Sequence, residues 1–216
     1  MYCDLHTHLD MYDDINPIVR EINDNAILTL ASSIDIPSYE SSLHIAKESP
    51  LIIPTFGIHP SKAYSYESKL EDLDGFIYQS PLIGEIGLDY LWVNPLNKNV
   101  QIKVFKYIAQ KATEMDKFIV VHTKDAEVDV LNILDEIKSD KVIIHWYSGP
   151  IDIYKEYISR GWYFTFGVEL EYSAHIRTLA NITPKDRLLA ETDNPVGIEW
   201  LSGKIGMPSD IFEVYN

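Results

Sequence analysis

Short apolar runs alternate with longer amphipathic stretches along most of this chain. Runs such as Phe118-Ile119-Val120-Val121 are rich in β-branched residues and are bounded by polar loops. This pattern is typical of strands that are buried on both faces of a parallel sheet. We predict eight strands, near residues 2–6, 26–31, 51–56, 82–86, 118–122, 142–145, 162–166 and 187–191.

Between several of these runs the apolar period changes to that of a helix. Phe105, Ile108, Ala112 and Met115 form a stripe with helical spacing. Eight strands with intervening helices predict an α/β fold, a single TIM-like (β/α)8 barrel over residues 1–216 with its active site at the carboxyl ends of the strands. The 216 residues are few for such a barrel, but 46% hydrophobic residues suffice for its core.

Potential metal ligands occur where these strands are predicted to end. The first strand ends in His6-Thr7-His8, and the period-two alternation of a strand places both imidazoles on one face. Four more ligand-type residues follow later runs: Glu85, His122, His145 and Asp193. Because the carboxyl ends of barrel strands meet at one mouth, the six side chains are expected to converge, as in a binuclear metal hydrolase.

Five separated motifs carry a resemblance to a known family. They are His6-x-His8, Gly57-Ile58-His59-Pro60, Gly84-Glu85-Ile86-Gly87-Leu88-Asp89, the histidines His122 and His145, and Glu191-Thr192-Asp193-Asn194-Pro195. In this order they resemble the TatD-like metal-dependent deoxyribonucleases, a branch of the amidohydrolase-type barrels, over residues 2 to about 207. The resemblance implies a binuclear hydrolase. In it His6, His8 and Asp193 hold one metal, His122 and His145 hold the second, and Glu85 bridges them.

The ligand set indicates the chemistry. Two divalent cations about 3.5–4 Å apart can lower the pKa of a shared water and hold the oxygens of a phosphodiester during in-line attack. We expect Asp193 to accept a proton from the attacking water, as the resemblance also implies, and Glu191 to orient the site from behind. Four histidines favour zinc, manganese or iron, whereas the resemblance implies magnesium or manganese, so only a divalent metal is predicted.

The chain departs from the family pattern in three places. Lys124 takes the position of the usual Arg after His122, and Trp146 and Tyr147 replace small residues after His145. The family also continues through further helices, whereas this chain ends at Asn216. The string His145-Trp146-Tyr147-Ser148-Gly149 is also similar to the TatD-like component of Qat anti-phage defence systems.

Several residues near the predicted strand ends are candidates for contacts with a substrate. His59 either binds phosphate or is a loop histidine without a role in binding. Lys124 either binds phosphate or is a solvated lysine. Aromatic residues that follow strand ends could stack on splayed bases or pack in the core. They are Tyr64, Tyr90, Trp92, Trp146 and Tyr147.

Other candidates are expected to have structural roles. Asp89 either braces the site by hydrogen bonds or caps a loop. His44 and His175 lie on helical stretches and are expected to be ordinary histidines. Cys3 is expected to be a small core residue.

The charge balance limits the substrates. With 18 basic and 33 acidic residues the net charge is −15, and Arg20 is the single basic residue of the first 46. Because duplex binding depends on many Lys and Arg contacts, broad duplex binding is not expected. A pocket for one strand end needs only local positive charge, so single-stranded DNA is the expected nucleic acid.

The start of the chain and its hydropathy indicate the location of the protein. A strand begins at Tyr2 without a signal-peptide pattern, and no apolar run is long enough to cross a membrane. We therefore expect a cytoplasmic protein.

Three functions remain open from the sequence. They are a nuclease for single-stranded or frayed ends, a binuclear hydrolase of a small nucleotide, phosphoester or amide, and a non-catalytic subunit of a defence complex. The glycines and prolines of residues 194–216 leave room only for a short helix from Pro208. We therefore expect shortened C-terminal helices and a poorly covered last strand, onto which a second copy or another protein packs.

Overall fold

The predicted strands are all present, and they pair in parallel. The computed structural model of the protein describes residues 1–94 and 97–216. Neighbours along the chain pair in the order β1-β2-β3 in one sheet and β4-β5-β6-β7-β8 in the other. The strands are β1 Tyr2–Thr7, β2 Ile27–Ser32, β3 Ile52–Thr55, β4 Ile83–Asp89, β5 Ile119–Lys124, β6 Val142–Ile144, β7 Tyr163–Phe166 and β8 Leu188–Ala190.

Helices connect the strands, as the change in apolar period predicts. Each crossover between parallel strands needs a connection of this kind. Within the described parts of the chain the α-helices are α1 Ile15–Asp24, α2 Ile36–Ile45, α3 Asp74–Gln79, α4 Lys98–Glu114, α5 Glu127–Ile137, α6 Ile151–Ser159, α7 Glu169–Tyr172, α8 Ala174–Ile182, α9 Val196–Ser202 and α10 Ile211–Tyr215.

Hydrogen bonds join the two sheets at both of their edges. Phe56, just after β3, forms a bridge with Ile83 of β4. On the other side the Asp193 N–H donates to the His6 carbonyl at 2.9 Å, and the buried Asp4 carboxylate accepts hydrogen bonds from Thr192 N–H and Oγ1 at 3.0 and 2.6 Å. Eight parallel strands joined in this way agree with the predicted (β/α)8 architecture.

Two strands extend by more than one residue beyond their predicted ends. β4 continues to Asp89 and β5 to Lys124, where Leu88 pairs with Thr123 and Asp89 with Lys124. The sequence suggested earlier ends because Gly87 and the polar residues after His122 interrupt the apolar runs. The ladder between β4 and β5 continues because its hydrogen bonds join backbone atoms and do not depend on the side chains. Glu85 and His122 therefore lie within strands, where the sheet holds them more rigidly than a loop would.

The core contains the predicted apolar positions with two differences. Phe105, Ile108 and Ala112 of α4 are buried, whereas Met115 lies beyond the end of α4 and is 37% exposed. Cys3 is only partly buried, because it lies at the outer side of β1, where the Tyr215 hydroxyl donates to its carbonyl at 3.2 Å. It is therefore not the core residue that the sequence suggested.

The C-terminal segment covers more of the barrel than expected. α9 was not predicted; it begins after Pro195, which suits a first turn, and ends at Gly203, whose φ is 74°. The predicted short helix is α10, and Ile211 on it is fully buried against Ile27 and Ala190. The outer side of β8 is thus covered in part by α10, while Leu188 at the start of β8 is 36% exposed. A partner at this flank stays a prediction.

We expect Ile211→Ala to lower the free energy of unfolding by about 2–4 kcal/mol, because it leaves a cavity between α10 and the barrel. Urea unfolding followed by circular dichroism measures the change. Ile205→Ala is the matched control, since Ile205 is 64% exposed. An equal, small effect of both substitutions would contradict the packing described for α10.

Helix length also bears on membrane insertion. Within residues 1–94 and 97–216, no helix has both the length and the apolar character that a membrane crossing requires.

Candidate metal centre and active site

The six predicted ligands come together at the carboxyl end of the strands. His6 and Glu85 lie on β1 and β4, and His122 lies on β5. His8 and His145 directly follow β1 and β6, and Asp193 lies three residues after the end of β8. Asp193 has a left-handed backbone with a φ of 53°. Its N–H donates to His6 and its carbonyl accepts from Gly197 at 2.6 Å, so the residue is held in this conformation from both sides.

One half of the centre is formed by the His-x-His pair and Asp193. The Nε2 atoms of His6 and His8 are 3.3 Å apart. Asp193 Oδ1 lies 3.6 Å from His6 Nε2 and 3.3 Å from His8 Nε2. Glu85 Oε2 lies 3.6 Å from each of the two imidazole nitrogens.

The other half is formed around the second carboxylate oxygen of Glu85. Glu85 Oε1 lies 2.8 Å from His122 Nδ1 and 2.9 Å from His145 Nε2. These two nitrogens are 3.4 Å apart. Glu85 therefore presents one oxygen to each half, which is the geometry of a bridging ligand.

The donor separations fit divalent cations. Ligand atoms about 2.1 Å from a cation stand about 3.0 Å apart in octahedral and about 3.4 Å apart in tetrahedral geometry. The separations of 3.3–3.6 Å around Glu85 Oε2 and 2.8–3.4 Å around Oε1 lie close to these values. The residues could thus hold a cation in each half with little rearrangement.

Each imidazole uses its second nitrogen for a positioning contact. His8 Nδ1 donates to the Ser32 carbonyl at 3.0 Å, and His6 Nδ1 lies 3.1 Å from Ser32 Oγ. His122 Nε2 lies 3.0 Å from Asp89 Oδ2, and His145 Nδ1 lies 3.2 Å from Glu191 Oε2. Such partners fix the ring orientation and make a nitrogen a better metal ligand.

The two carboxylates behind the imidazoles have further partners of their own. Asp89 Oδ1 accepts the N–H groups of Leu91 and Trp92 at 2.9 and 2.7 Å, so both alternatives for Asp89, brace and loop cap, are realised. Glu191 is fully buried, and its Oε1 accepts the Trp146 N–H at 2.8 Å. Its contacts are those of an orienting residue, with no exposure to the cavity.

The charges of the centre are strongly coupled. Burial alone would lower the pKa of His145, but Glu191 and Glu85 raise it to about 10. Burial opposes the ionisation of Glu85, yet His145 and His122 hold its pKa well below the usual value. Since imidazole binds a cation only in its neutral form, protons and cations compete for the same nitrogen atoms.

Asp193 differs from the other five ligands in its accessibility. Its side chain is 22% exposed, whereas the others are at most 7% exposed. Burial would raise its pKa, but the bond with His8 and the charges of His6 and His8 keep the pKa below the usual value. Asp193 is therefore an ionised carboxylate that faces the open side of the centre.

A cavity of about 960 Å³ lies over the centre. This volume is at the upper end of the range for small-ligand sites. Five of the six ligands line it, and the sixth, His6, is completely buried beneath them. A substrate in the cavity would reach the centre from the side of Asp193.

His59 and Lys124, the predicted phosphate contacts, both line this cavity. His59 Nδ1 accepts the Ser61 N–H at 3.1 Å, and burial lowers the pKa of His59 to about 3. It is thus a neutral imidazole whose Nε2–H can donate, and it does not supply the positive charge expected of it. Lys124 is 5% exposed, so it is not the solvated lysine of the alternative interpretation.

The predicted aromatic contacts divide into two groups. Trp92 and Trp146 line the cavity. Tyr64, Tyr90 and Tyr147 are not among the described residues that line the cavity. The Tyr90 hydroxyl donates to Asp129 at 2.8 Å, and Tyr147 packs in the core against Tyr154 and Tyr157.

The sequence did not single out several residues that line the cavity. Trp200 on α9 and Tyr172 on α7 widen its aromatic wall, and Glu169 and His175 add polar groups. His175, expected to be ordinary, donates from Nε2 to the Gly149 carbonyl at 2.9 Å at the edge of the cavity. His44 is an exposed residue of α2, as expected.

Glu169 is expected to make stability depend on pH. Burial and the neighbouring charge of Glu191 raise its pKa from 4.5 to about 7. As pH rises from about 4 to about 7, Glu169 loses its proton in the unfolded chain before it does so in the folded chain. The free energy of unfolding therefore falls over this interval and stays constant at higher pH. In Glu169→Gln the side chain is neutral at every pH. This variant should therefore not show the decrease of about 3 kcal/mol in the free energy of unfolding that is expected for wild type.

Urea unfolding at a series of pH values measures the difference between wild type and Glu169→Gln. Glu171→Gln is the control, because Glu171 is exposed on the same helix. Wild type and Glu169→Gln with parallel stability profiles from pH 4 to pH 8 would contradict the expectation.

Comparison with known proteins agrees with this geometry. A family model described as TatD related DNase matches residues 3–216. The metal-dependent hydrolase YabD of Bacillus subtilis is 29% identical over 208 residues, which cover 90% of this chain and 80% of YabD. The metal-dependent hydrolase YcfH of Escherichia coli K12 is 28% identical over 206 residues, which cover 89% and 77% of the two chains.

A solved structure shares the fold over nearly the whole chain. The TatD homologue YjjV of Escherichia coli K12 superposes with a TM-score of 0.88 at 18% identity, covering 99% of this chain and 87% of YjjV. The family match, the convergent ligands and the shared fold lead to one conclusion: the chain belongs to the TatD-related DNase family and is a metal-dependent hydrolase.

Proposed function

We propose that this protein hydrolyses phosphodiester bonds of nucleic acid at a binuclear centre, preferring single-stranded or frayed DNA ends. The observation that carries the proposal is the position of Glu85, whose two oxygens each face a separate set of ligand nitrogens. A pair of cations held in this way suits an in-line displacement at phosphorus.

The proposed cofactors are two divalent cations, Mg, Mn or Zn. His6, His8 and Asp193 would hold one, His122 and His145 would hold the other, and Glu85 would contact both. When bound, the cations would lower the pKa of the attacking water and stabilise the charge on the phosphoryl oxygens.

The side chains have separate roles in this proposal. Asp193, exposed toward the cavity and ionised, accepts the proton of the attacking water. Glu191 and Asp89 hold the rings of His145 and His122, so they are positioning residues. Neutral His59 donates its Nε2–H to a phosphate oxygen, and Lys124, which lines the same cavity, contributes a positive charge.

The preference for strand ends follows from the charge and the shape of the site. With a net charge of −15 the surface does not offer a long cationic track for a duplex. The cavity wall instead has indole side chains, among them Trp92 and Trp146, on which unpaired bases can stack. Tyr90, which bonds to Asp129, has no place in this substrate contact.

A small phosphoester is the second candidate substrate. It is favoured by the cavity volume of about 960 Å³, which a mononucleotide or dinucleotide would fill. A non-catalytic subunit of a defence complex is the third candidate function. The six ligand residues at metal-like separations argue against it, since a scaffold has no need for them together. A role in anti-phage defence stays a prediction.

A cleavage assay separates these functions. Metal-loaded protein is incubated with an end-labelled single-stranded oligonucleotide, the same sequence as blunt duplex, closed circular duplex, RNA, and bis(p-nitrophenyl) phosphate. We expect the fastest cleavage on the single strand, and none in the His6→Ala/His8→Ala double variant. His44→Ala is the matched control. Cleavage of the small diester alone would move the function to the second candidate, and faster cleavage of circular duplex would reverse the preference for ends.

A further inference from the structure

The cavity wall contains a corner of two tryptophans. The rings of Trp146 and Trp200 lie edge to face, with centroids 6.2 Å apart and an interplanar angle of 72°. Gly197 permits this approach, because a Cβ there would lie 2.9 Å from Cζ3 of Trp146. Trp146 is 9% exposed and Trp200 is 69% exposed. Trp146 therefore forms the buried inner face of the corner, and Trp200 forms the exposed outer face.

Polar contacts keep Trp146 in an unusual backbone conformation. Its φ is 39°, in the left-handed region that a bulky residue rarely adopts. The Trp146 N–H donates to Glu191 Oε1 at 2.8 Å, and Lys124 Nζ donates to the Trp146 carbonyl at 2.7 Å. Lys124 Nζ also donates to Ser148 Oγ at 3.1 Å. The indole is therefore held against the cavity and does not collapse into the core.

A buried carboxyl group faces the same cavity. Glu169 is 4% exposed and lines the cavity, and its Oε1 accepts the Gly167 N–H at 3.1 Å. Its Oε2 has no hydrogen-bond partner among the described residues. Buried polar atoms in folded proteins nearly always have a partner, so an oxygen left unpaired at a cavity indicates the place of a polar ligand group.

The charges around Glu169 are mixed and do not form a purely cationic site. The carboxylate of Glu191 and the ammonium group of Lys124, which donates to Trp146 and Ser148, both act on Glu169. Ser148 and His175 add further hydrogen-bonding groups to the lining of the same cavity. Since His175 donates from Nε2 to Gly149, its Nδ1 is an acceptor. Aromatic faces combined with uncharged or acidic hydrogen-bonding groups suit a flat ring with a polar edge.

We propose that Trp146, Trp200 and Glu169 form a subsite for the nucleobase next to the scissile phosphodiester, with the base stacked at the tryptophan corner and its polar edge bonded to Glu169. This inference rests on the proposed phosphodiester hydrolysis and names the part of the substrate that the cavity recognises. None of the motifs that carry the family resemblance contains Trp200 or Glu169.

Calorimetric titration of the metal-loaded protein tests the subsite without relying on turnover. The two ligands are 2′-deoxyadenosine 5′-monophosphate and 2-deoxyribose 5-phosphate, which differ only in the base. We expect the nucleotide to bind about tenfold or more tightly, because stacking on an aromatic side chain contributes that much per base. In Trp200→Ala and Glu169→Ala the ratio of the two affinities should fall toward one, and Trp200→Phe should restore part of it.

Matched controls lie outside the cavity. Tyr64→Ala removes an aromatic ring that is 67% exposed, and Glu171→Ala removes an exposed carboxylate from the same helix as Glu169. Both should keep the wild-type ratio. Equal affinity of wild type for the two ligands, no binding of either, or a wild-type ratio in Trp200→Ala would overturn the subsite.

Hydrolysis of a dinucleotide, measured in parallel, separates this inference from the proposed function. Hydrolysis without any contribution of the base to binding rejects the subsite alone. Base binding that depends on Trp200, without hydrolysis of any phosphodiester, supports the subsite and rejects the hydrolase activity on nucleic acid.

Discussion

Asp193→Asn is expected to lower kcat/KM for an oligonucleotide by about 10²–10⁴-fold while the protein stays folded. The amide has nearly the volume of the carboxylate, but it neither accepts a proton from water nor attracts a cation. Asp193 is the ligand most exposed to the cavity, with 22% of its side chain accessible, so its loss acts directly on the reaction.

Steady-state cleavage of a labelled single strand measures this effect, with circular dichroism and thermal unfolding as tests of the fold. Asp13→Asn is the matched control, because Asp13 is exposed and far along the chain from the motif. Wild-type turnover in Asp193→Asn would remove this residue from the mechanism, and an equal loss in Asp13→Asn would point to a general effect of the substitution.

Glu85→Gln is expected to weaken both proposed metal sites at once, by about 100-fold or more in affinity. The two cations of such a centre are about 3.5–4 Å apart, and a single negative charge between them reduces their repulsion. The amide removes this charge and leaves an N–H2 group facing one of the two halves. His122→Ala, by contrast, removes a ligand from one half only.

Elemental analysis after dialysis against Mn²⁺ or Zn²⁺ gives the number of ions per chain. We expect up to two ions in wild type, about one in His122→Ala and fewer than one in Glu85→Gln. Glu40→Gln is the control, since Glu40 is exposed on α2. Two ions retained in Glu85→Gln would show that this carboxylate does not hold the centre together.

The strands could be predicted, and the candidate ligands could be located, because both depend on local pattern. Buried parallel strands need unbroken apolar runs, and ligands at their carboxyl ends must follow those runs closely. His145 comes directly after β6, and Asp193 lies three residues after the end of β8. The family resemblance implied the pairing of ligands into two halves. In the structure the ligand atoms of His6, His8 and Asp193 lie together, as that pairing implies, whereas His145 groups with His6 and Glu85, and His122 groups with His59 and Asp89.

The cavity wall could not be predicted, because it depends on contacts between distant segments. Tyr90 follows β4 as a stacking residue should, yet a carboxylate on α5, Asp129, takes its hydroxyl. Trp200 reaches the cavity only because α9 forms after Pro195 and folds back toward Trp146. Lys124 is buried because two acceptors after β6 take its ammonium group, and no spacing in the sequence indicates them.

Glu191 restricts how the active site can be changed, in evolution or in the laboratory. Its Oε2 holds the ring of His145, and its Oε1 holds the backbone of Trp146. A mutation that reshapes the aromatic wall by moving the Trp146 backbone must therefore also shift the carboxylate that orients His145. New substrate preferences are reached more safely through Trp200, whose side chain on α9 is 69% exposed. Substrate range can then drift along α9 while the backbone of residue 146 and the carboxylate of Glu191 stay in place.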